Sequence, residues 1–141
     1  MDRREDILCF HRAATCLPPR LRNLAEGLPE EVKARAEELR LRSGRPMTVL
    51  LPEGEACPWR EAVSGADLEA LVNTVTEYSR YAAAESLRCG YLSARGGCRV
   101  GLCGTAVMKD GVCTGLRELS SAVIRVARER RGVGRAVVPE L

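Results

Sequence analysis

The pattern of residues in the first part of the chain predicts short helices whose ends are marked by proline and glycine. Pro18 and Pro19 precede a short mixed segment that ends at Gly27. This predicts a helix, because Pro favours the first helical turn and Gly the position just after the last one. A second helix is predicted from Pro29, since acidic residues fill its first turn, where the helix dipole favours negative charge.

The period changes to two at Glu38–Arg42, where polar and apolar residues alternate as in a half-buried strand. Turn-forming residues occupy 43–46, and an apolar run follows at 47–51. We therefore expect a strand, a turn and a strand, with the preceding helix ending before Leu39. Residues 52–60, which include the only tryptophan, are predicted to form a loop.

The clearest helical pattern starts at Ser64. This residue can cap a helix, and Asp67, three positions later, completes the pattern of a capping box. The apolar residues that follow form one stripe at helical spacing: Leu68, Leu71, Val72 and Val75. Such a stripe is typical of a helix that faces the core. A further helix is predicted between Ser79 and Gly90, where the glycine supplies the C-terminal stop.

Strand signals fill the next part of the chain. They predict a strand over 91–94, a turn over 95–97 and a long strand over 98–108. Within the long strand, Gly101 and Gly104 indicate a bulge or a close approach of another backbone.

Asp110 and Gly111 suit a type I′ hairpin turn, and strand-like residues return at 116–119 and 122–127. The predicted fold class is therefore α+β, because helices come first and an antiparallel meander comes last. In chain order we expect N-terminal helices with a strand–turn–strand, two central helices, and then the meander.

The chain of 141 residues has the usual size of one domain, and 45% of its residues are hydrophobic. We expect a poorly ordered leader over 1–16, an α+β domain over 17–129, and a linker over 130–141. The charged N-terminus has no apolar run of signal-peptide length after it, and no stretch of about 18 apolar residues exists. These features favour a cytoplasmic location.

The basic residues are unusual in kind rather than in number. The formal net charge is only +3, yet of 22 basic residues just Lys33 and Lys109 are lysine. Arginine binds phosphate and carboxylate groups bidentately, which lysine cannot do. A GC-rich genome would enrich arginine equally well. A free-standing arginine-rich nucleic-acid-binding module stays open as an alternative function, although the acidic residues are spread among the arginines and aromatic residues are scarce.

Seven cysteines are present, without any Cys-x-x-Cys spacing: Cys9, Cys16, Cys57, Cys89, Cys98, Cys103 and Cys113. Cys98 and Cys103 are an odd number of positions apart in a predicted strand, so their thiols should lie on opposite faces. With His11 as the single histidine, we expect no metal site and interpret the thiols as reduced, small hydrophobic residues.

No catalytic constellation is predicted. The glycine-rich segment 96–104 has no Lys after it and is predicted to be a strand, whereas a phosphate-binding loop of the G-x-x-x-x-G-K-[ST] type leads into a helix. No Ser-His-Asp or Cys-His arrangement is predicted either, because the single histidine, His11, lies in the predicted poorly ordered leader. The chain alone is therefore not expected to be an enzyme, to bind a cofactor or to hold a metal.

Two segments have specific patterns: the glycine-rich strand at 96–104 and the Ser-Ser-x-x-Ile-Arg-x-Ala-Arg-Glu segment within 116–129. Together with residues 39–46, 78–82, 90–92 and 110–111, they cover most of 17–129. In these segments the chain resembles a known family, that of stage III sporulation protein AA of endospore-forming bacteria.

The resemblance implies a motor related to the ATPases of type II and type IV secretion and of pilus machines. In that arrangement an N-terminal α+β domain precedes a RecA-like ATPase domain, which binds ATP and Mg²⁺, and the subunits form a hexamer. Implied partners are the chain's own C-terminal ATPase domain, neighbouring subunits and membrane channel proteins. The implied location is the mother cell, beside the channel complex that joins it to the forespore. The phosphate-binding loop would follow shortly after Leu141.

The resemblance also implies site residues. In the related motors an Arg-x-Asn-like strand and a later Leu-Arg pair contact nucleotide phosphates. Arg99 and Arg117 stand at those positions, with Gly101 where the pattern usually has Asn, and Arg125 and Arg128 are weaker candidates. The alternative is that these arginines extend into solvent or pair with a carboxylate such as Glu118.

Overall fold

The computed structural model describes residues 3–76, 91–93, 98–110 and 112–127. In this part of the chain, helices α1 to α4 cover Arg3–Ala14, Pro19–Glu26, Glu30–Arg35 and Gly65–Thr76. Strands β1 to β6 cover Glu38–Arg42, Thr48–Leu51, Gly54–Ala56, Tyr91–Ser93, Arg99–Lys109 and Val112–Arg125. The α+β class is confirmed. The helix predicted between Ser79 and Gly90 lies outside the described residues, as does the whole of the linker predicted over 130–141.

Helix α1 corrects the prediction of a poorly ordered leader. Its residues Phe10, Ala13 and Ala14 are fully buried in the same core as the sheet. This charged segment contains a short apolar stripe, formed by Cys9, Phe10 and Ala13 at helical spacing. The packed unit therefore begins well before Leu17.

The helix ends predicted within the described residues are confirmed. Helix α2 begins at Pro19 and is closed by Gly27, whose N–H reaches the last carbonyl oxygens of the helix. Ala36 is already extended after α3, so the helix ends before Leu39. At α4 the capping box is complete: Ser64 Oγ accepts from the Asp67 N–H at 3.1 Å, and Asp67 Oδ2 accepts from the Ser64 N–H at 2.9 Å.

The six strands form one antiparallel sheet in the order β3-β2-β1-β6-β5-β4. The N-terminal strands thus join the C-terminal meander through β1 and β6, whose paired residues are 79 to 87 positions apart in sequence. The predicted segments 116–119 and 122–127 belong largely to the single strand β6. The predicted loop 52–60 contains strand β3, which alternation could not reveal because it has only three residues.

The β5–β6 hairpin departs from regular pairing opposite Gly104. Between the pairs Cys103↔Ser121 and Thr105↔Arg117, β5 contributes one residue and β6 contributes three. The predicted irregularity at Gly104 is therefore present, with the additional residues on β6. Asp110 has a positive φ of 54°, as a type I′ turn requires of its first central residue.

The two faces of the sheet differ in character. The inner face carries Leu39, Leu41, Val100 and Ile124, which are fully buried with the apolar stripes of the helices. The alternate residues form the outer face, which carries most of the charged side chains of the central strands. Helices on one side and charges on the other follow from the period of two.

Five cysteines are seen as free thiols, namely Cys9, Cys16, Cys57, Cys98 and Cys103, and two of them confirm the strand geometry. Cys98 is buried and Cys103 is exposed, as predicted for residues on opposite faces. Burial, reinforced by the nearby Cys98, raises the pKa of Cys16 to about 12, so this thiol stays protonated at neutral pH.

Candidate functional site

A row of directly opposed residues crosses the outer face. Arg99 on β5 lies opposite Arg125 on β6, and Arg125 lies opposite Glu38 on β1. Opposed residues in a sheet share a face, so these three side chains project from the same side. The sheet thereby brings together residues that are distant in sequence.

A shallow cavity of about 310 Å³ lies along this row, lined by Glu38, Arg99, Gly101, Val123 and Arg125. Gly101 leaves the space open, because a Cβ atom built there would meet no atom within 4 Å. The glycine at this position therefore marks neither a close backbone approach nor a bulge. It leaves room beside the two guanidinium groups.

Arg125 is one end of a chain of ion pairs that runs across the sheet. Its Nη2 donates to Glu38 Oε1 at 3.3 Å, while Arg40 Nε donates to Glu38 Oε2 at 3.1 Å. Arg40 Nη1 donates in turn to Glu55 Oε2 on β3 at 3.0 Å. Each oxygen of Glu38 thus has its own arginine, and the Glu38 side chain is only 12% exposed.

Glu55 anchors the far end of this chain. Its Oε2 also accepts a hydrogen bond from Thr48 Oγ1 at 3.0 Å, and Arg42 Nη2 lies 3.6 Å from the same oxygen. The hydrogen bond from Arg40, followed by that from Thr48, lowers the pKa of Glu55. The same network raises the pKa of Arg40, first through its hydrogen bond to Glu55 and then through Glu38. Arg40 is therefore a firmly held cation.

Arg99 differs from its neighbours, because among the described residues its exposed side chain makes no ion pair or hydrogen bond. Like charges directly opposite one another destabilise a sheet. Here Arg99 faces Arg125, whose charge is balanced only in part by Glu38. Two guanidinium groups beside an open space form an arrangement suited to a phosphate or carboxylate anion.

The three sequence-predicted site residues do not converge on one point. Arg99 and Arg125 are cross-strand neighbours, whereas Arg117 pairs with Thr105. Thr105 is six positions along β5 from Arg99, or roughly 20 Å at about 3.3 Å per residue. Arg117 therefore belongs to a different part of the hairpin from the cross-strand pair of Arg99 and Arg125. Arg128 lies outside the described residues.

Glu38 is the site residue that the sequence did not single out. It belongs to an alternating strand like many others, and its partner Arg125 is 87 positions away. Only the β1–β6 pairing makes it part of the site. His11, expected in an unstructured leader, lies on α1 instead, with its Nδ1 2.5 Å from Glu26 Oε2 on α2.

The described ranges contain neither a candidate metal cluster nor a candidate membrane-spanning helix. Within them, no three His, Cys, Asp or Glu side chains are grouped so that they could hold a metal ion. None of the helices in those ranges has the length and apolar character needed to cross a membrane.

A family model and a related protein both connect this chain with the same family. The family described as "Sporulation stage III, protein AA" matches residues 2–141. Stage III sporulation protein AA of Bacillus subtilis (strain 168) is 34% identical over 132 residues, which make up 94% of this chain and 43% of that relative. The chain thus spans less than half the length of the relative. Because the match extends over nearly all of its residues, the chain belongs to the sporulation stage III protein AA family.

Proposed function

We propose that this chain is the N-terminal regulatory and assembly domain of a longer, sporulation-specific motor ATPase of the secretion type. In this proposal the motor works as a hexamer in the mother cell and energises the channel complex that joins it to the forespore. Membership of the family supports the role in sporulation, and the greater length of the relative leaves room for a separate ATPase domain.

The proposed task of the outer face is to contact nucleotide phosphates bound by the chain's own or a neighbouring ATPase domain. The observation that carries this proposal is the cross-strand pair Arg99 and Arg125, with Arg99 lacking a partner among the described residues. A positioned guanidinium stabilises the charge that develops on a transferred phosphoryl group, and it can be supplied by a neighbouring subunit.

The residues of the cavity fit the phosphate part of a nucleotide. Its described lining combines two arginines with Glu38, Gly101 and Val123 and includes no aromatic ring on which a base could stack. Mg²⁺ and ATP, bound to the ATPase domain, would supply the reactive phosphoanhydride. Arg99 and Arg125 would orient the phosphate oxygens and offset their charge.

The first test concerns the gene beyond codon 141. We expect a G-x-x-x-x-G-K-[ST] motif shortly after it, because that loop cradles nucleotide phosphates. A stop codon at that point would contradict the motor proposal. The arginine-rich nucleic-acid-binding module would then lead, and it predicts duplex binding that weakens steeply as salt rises.

The second test measures ATP turnover in the full-length protein. We expect Arg99→Ala to lower kcat by about tenfold or more, because a lost guanidinium leaves phosphoryl charge unbalanced. Arg12→Ala is the matched control, since Arg12 is an exposed arginine on α1 in the helical layer. Equal turnover in wild type and Arg99→Ala would overturn the assignment.

Arg117→Ala serves as an independent variant in the same assay. If Arg117 makes a second, separate phosphate contact, turnover falls while the thermal unfolding of the 141-residue chain stays unchanged. Unchanged turnover would show that Arg117 makes no phosphate contact and would leave the Arg99–Arg125 pair as the proposed contact.

A further inference from the structure

Glu38 is the single carboxylate in the described lining of the cavity, and it already occupies Arg125. We propose that Glu38 is a built-in counter-anion that holds Arg125 in the ligand-free protein and releases it to an incoming phosphate group. This inference rests on the proposed phosphate-binding role of the outer face and concerns its regulation.

The exchange is possible because the two oxygens of Glu38 have different partners. Oε1 accepts from Arg125, and Oε2 accepts from Arg40. When Arg125 turns to an external anion, Oε2 keeps its hydrogen bond to Arg40. The carboxylate is therefore never left without a cation, which would be costly for a group that is only 12% exposed.

The two arginines are unequal in mobility. The Arg125 side chain is 69% exposed and has one ion-pair partner among the described residues, whereas Arg40 is 29% exposed and joins two carboxylates. Exposed ion pairs are weak, so the Arg125–Glu38 contact is the one that yields. A phosphate offers Arg125 a stronger, charge-assisted contact and at the same time balances Arg99.

The fixed position of Glu38 depends on the rest of the network. Arg40 is held from the other side by Glu55, which Thr48 and Arg42 also contact. This chain of contacts keeps the carboxylate beside the cavity in both states. Glu38 then lowers the affinity of the site and prevents permanent occupation by cellular anions.

The experiment measures binding of inorganic triphosphate to the 141-residue chain by calorimetry at low salt. We expect Glu38→Gln to bind roughly three- to tenfold more tightly than wild type, since it removes one negative charge from beside the anion. Glu53→Gln is the matched control: Glu53 pairs with Arg35 before β3 and changes the net charge equally without lining the cavity.

A double-mutant cycle tests whether Glu38 acts through Arg125. In the Arg125→Ala background, Glu38→Gln should give little further gain, because the contact that it releases no longer exists. An equal gain in both backgrounds would overturn the exchange and indicate a general effect of charge. If Glu38→Gln lowers Tm, Glu38→Thr provides a second neutral variant suited to a strand.

The outcomes separate the inference from the proposed function. Triphosphate binding that Arg99→Ala weakens but Glu38→Gln leaves unchanged would overturn the counter-anion role while the phosphate site stands. No binding by wild type, by Glu38→Gln or by Glu38→Thr would overturn both. Tighter binding by Glu38→Gln that depends on Arg125 supports both.

Discussion

Strands β1, β6 and β5 contribute residues to both faces of the sheet, yet the two faces differ in the interactions that their side chains make. On the inner face, Leu39 and Val100 both lie opposite Ile124, and all three are fully buried. One position away on each strand, Glu38, Arg125 and Arg99 form the charged row. Apolar burial stabilises the first face, whereas the second places two arginines side by side at a cost in repulsion. Residues that stabilise the fold and residues of the proposed phosphate site therefore alternate along the same strands.

The largest expected effect sharpens this contrast at neighbouring residues. Ile124→Ala should lower the free energy of unfolding by about 2–5 kcal/mol, because it leaves a cavity in a fully buried site. Val123→Ala, on the outer face, should cost about 1 kcal/mol or less, since Val123 is only partly buried. Urea unfolding of the two variants measures both values. Similar losses would contradict the assignment of the core to one face.

An intermediate effect is expected from filling the cavity on the outer face. Gly101→Val should weaken triphosphate binding about tenfold, because its side chain would occupy the space beside the arginines, where no atom lies within 4 Å of a Cβ. Stability should be unchanged or rise by up to about 1 kcal/mol, since valine suits a strand better than glycine.

Gly44→Val is the glycine control for that variant. Gly44 has a φ of 82°, which valine rarely adopts, so this variant should lose stability and keep its affinity for triphosphate. Calorimetry measures the triphosphate affinity of both variants, and thermal unfolding measures their stability. A Gly101→Val chain that binds as tightly as wild type would show that the anion lies elsewhere.

The smallest expected effect concerns pH. Because its hydrogen bonds from Arg40 and Thr48 lower the pKa of Glu55 in the folded state, its stabilising contribution is complete above the unfolded pKa, near 4.5, and is lost as pH falls through the folded value. Thr48→Val should raise that pKa and reduce stability at pH 7 by only about a few tenths of a kcal/mol, since the pair is partly exposed.

NMR titration of the Glu55 carboxyl group in wild type and Thr48→Val measures this shift. Glu53, which makes no contact with Thr48 among the described contacts, provides the internal reference in the same spectra. An unchanged Glu55 titration in the variant would show that Thr48 does not contribute to the network.

Local signals predicted much of the secondary structure. Pro19 and Gly27 bound a helix as expected, and Ser64 with Asp67 caps another, because these residues act on backbone groups within one turn. The failures have a physical cause too. Helix α1 was missed because its short apolar stripe gains stability only by burial of Phe10 against the rest of the fold. Strand β3 was missed because it has too few residues to show a period.

The sequence by itself determined where most helices and strands lie, which residues of each strand face the core, and that arginine is the dominant cation. It also carried the family resemblance, now confirmed over residues 2–141. Only the tertiary structure decided that β1 pairs with β6, so that Glu38 meets Arg125 while Arg117 is carried away from Arg99. Periodicity is a local property of the chain, whereas strand order and register depend on contacts between distant segments.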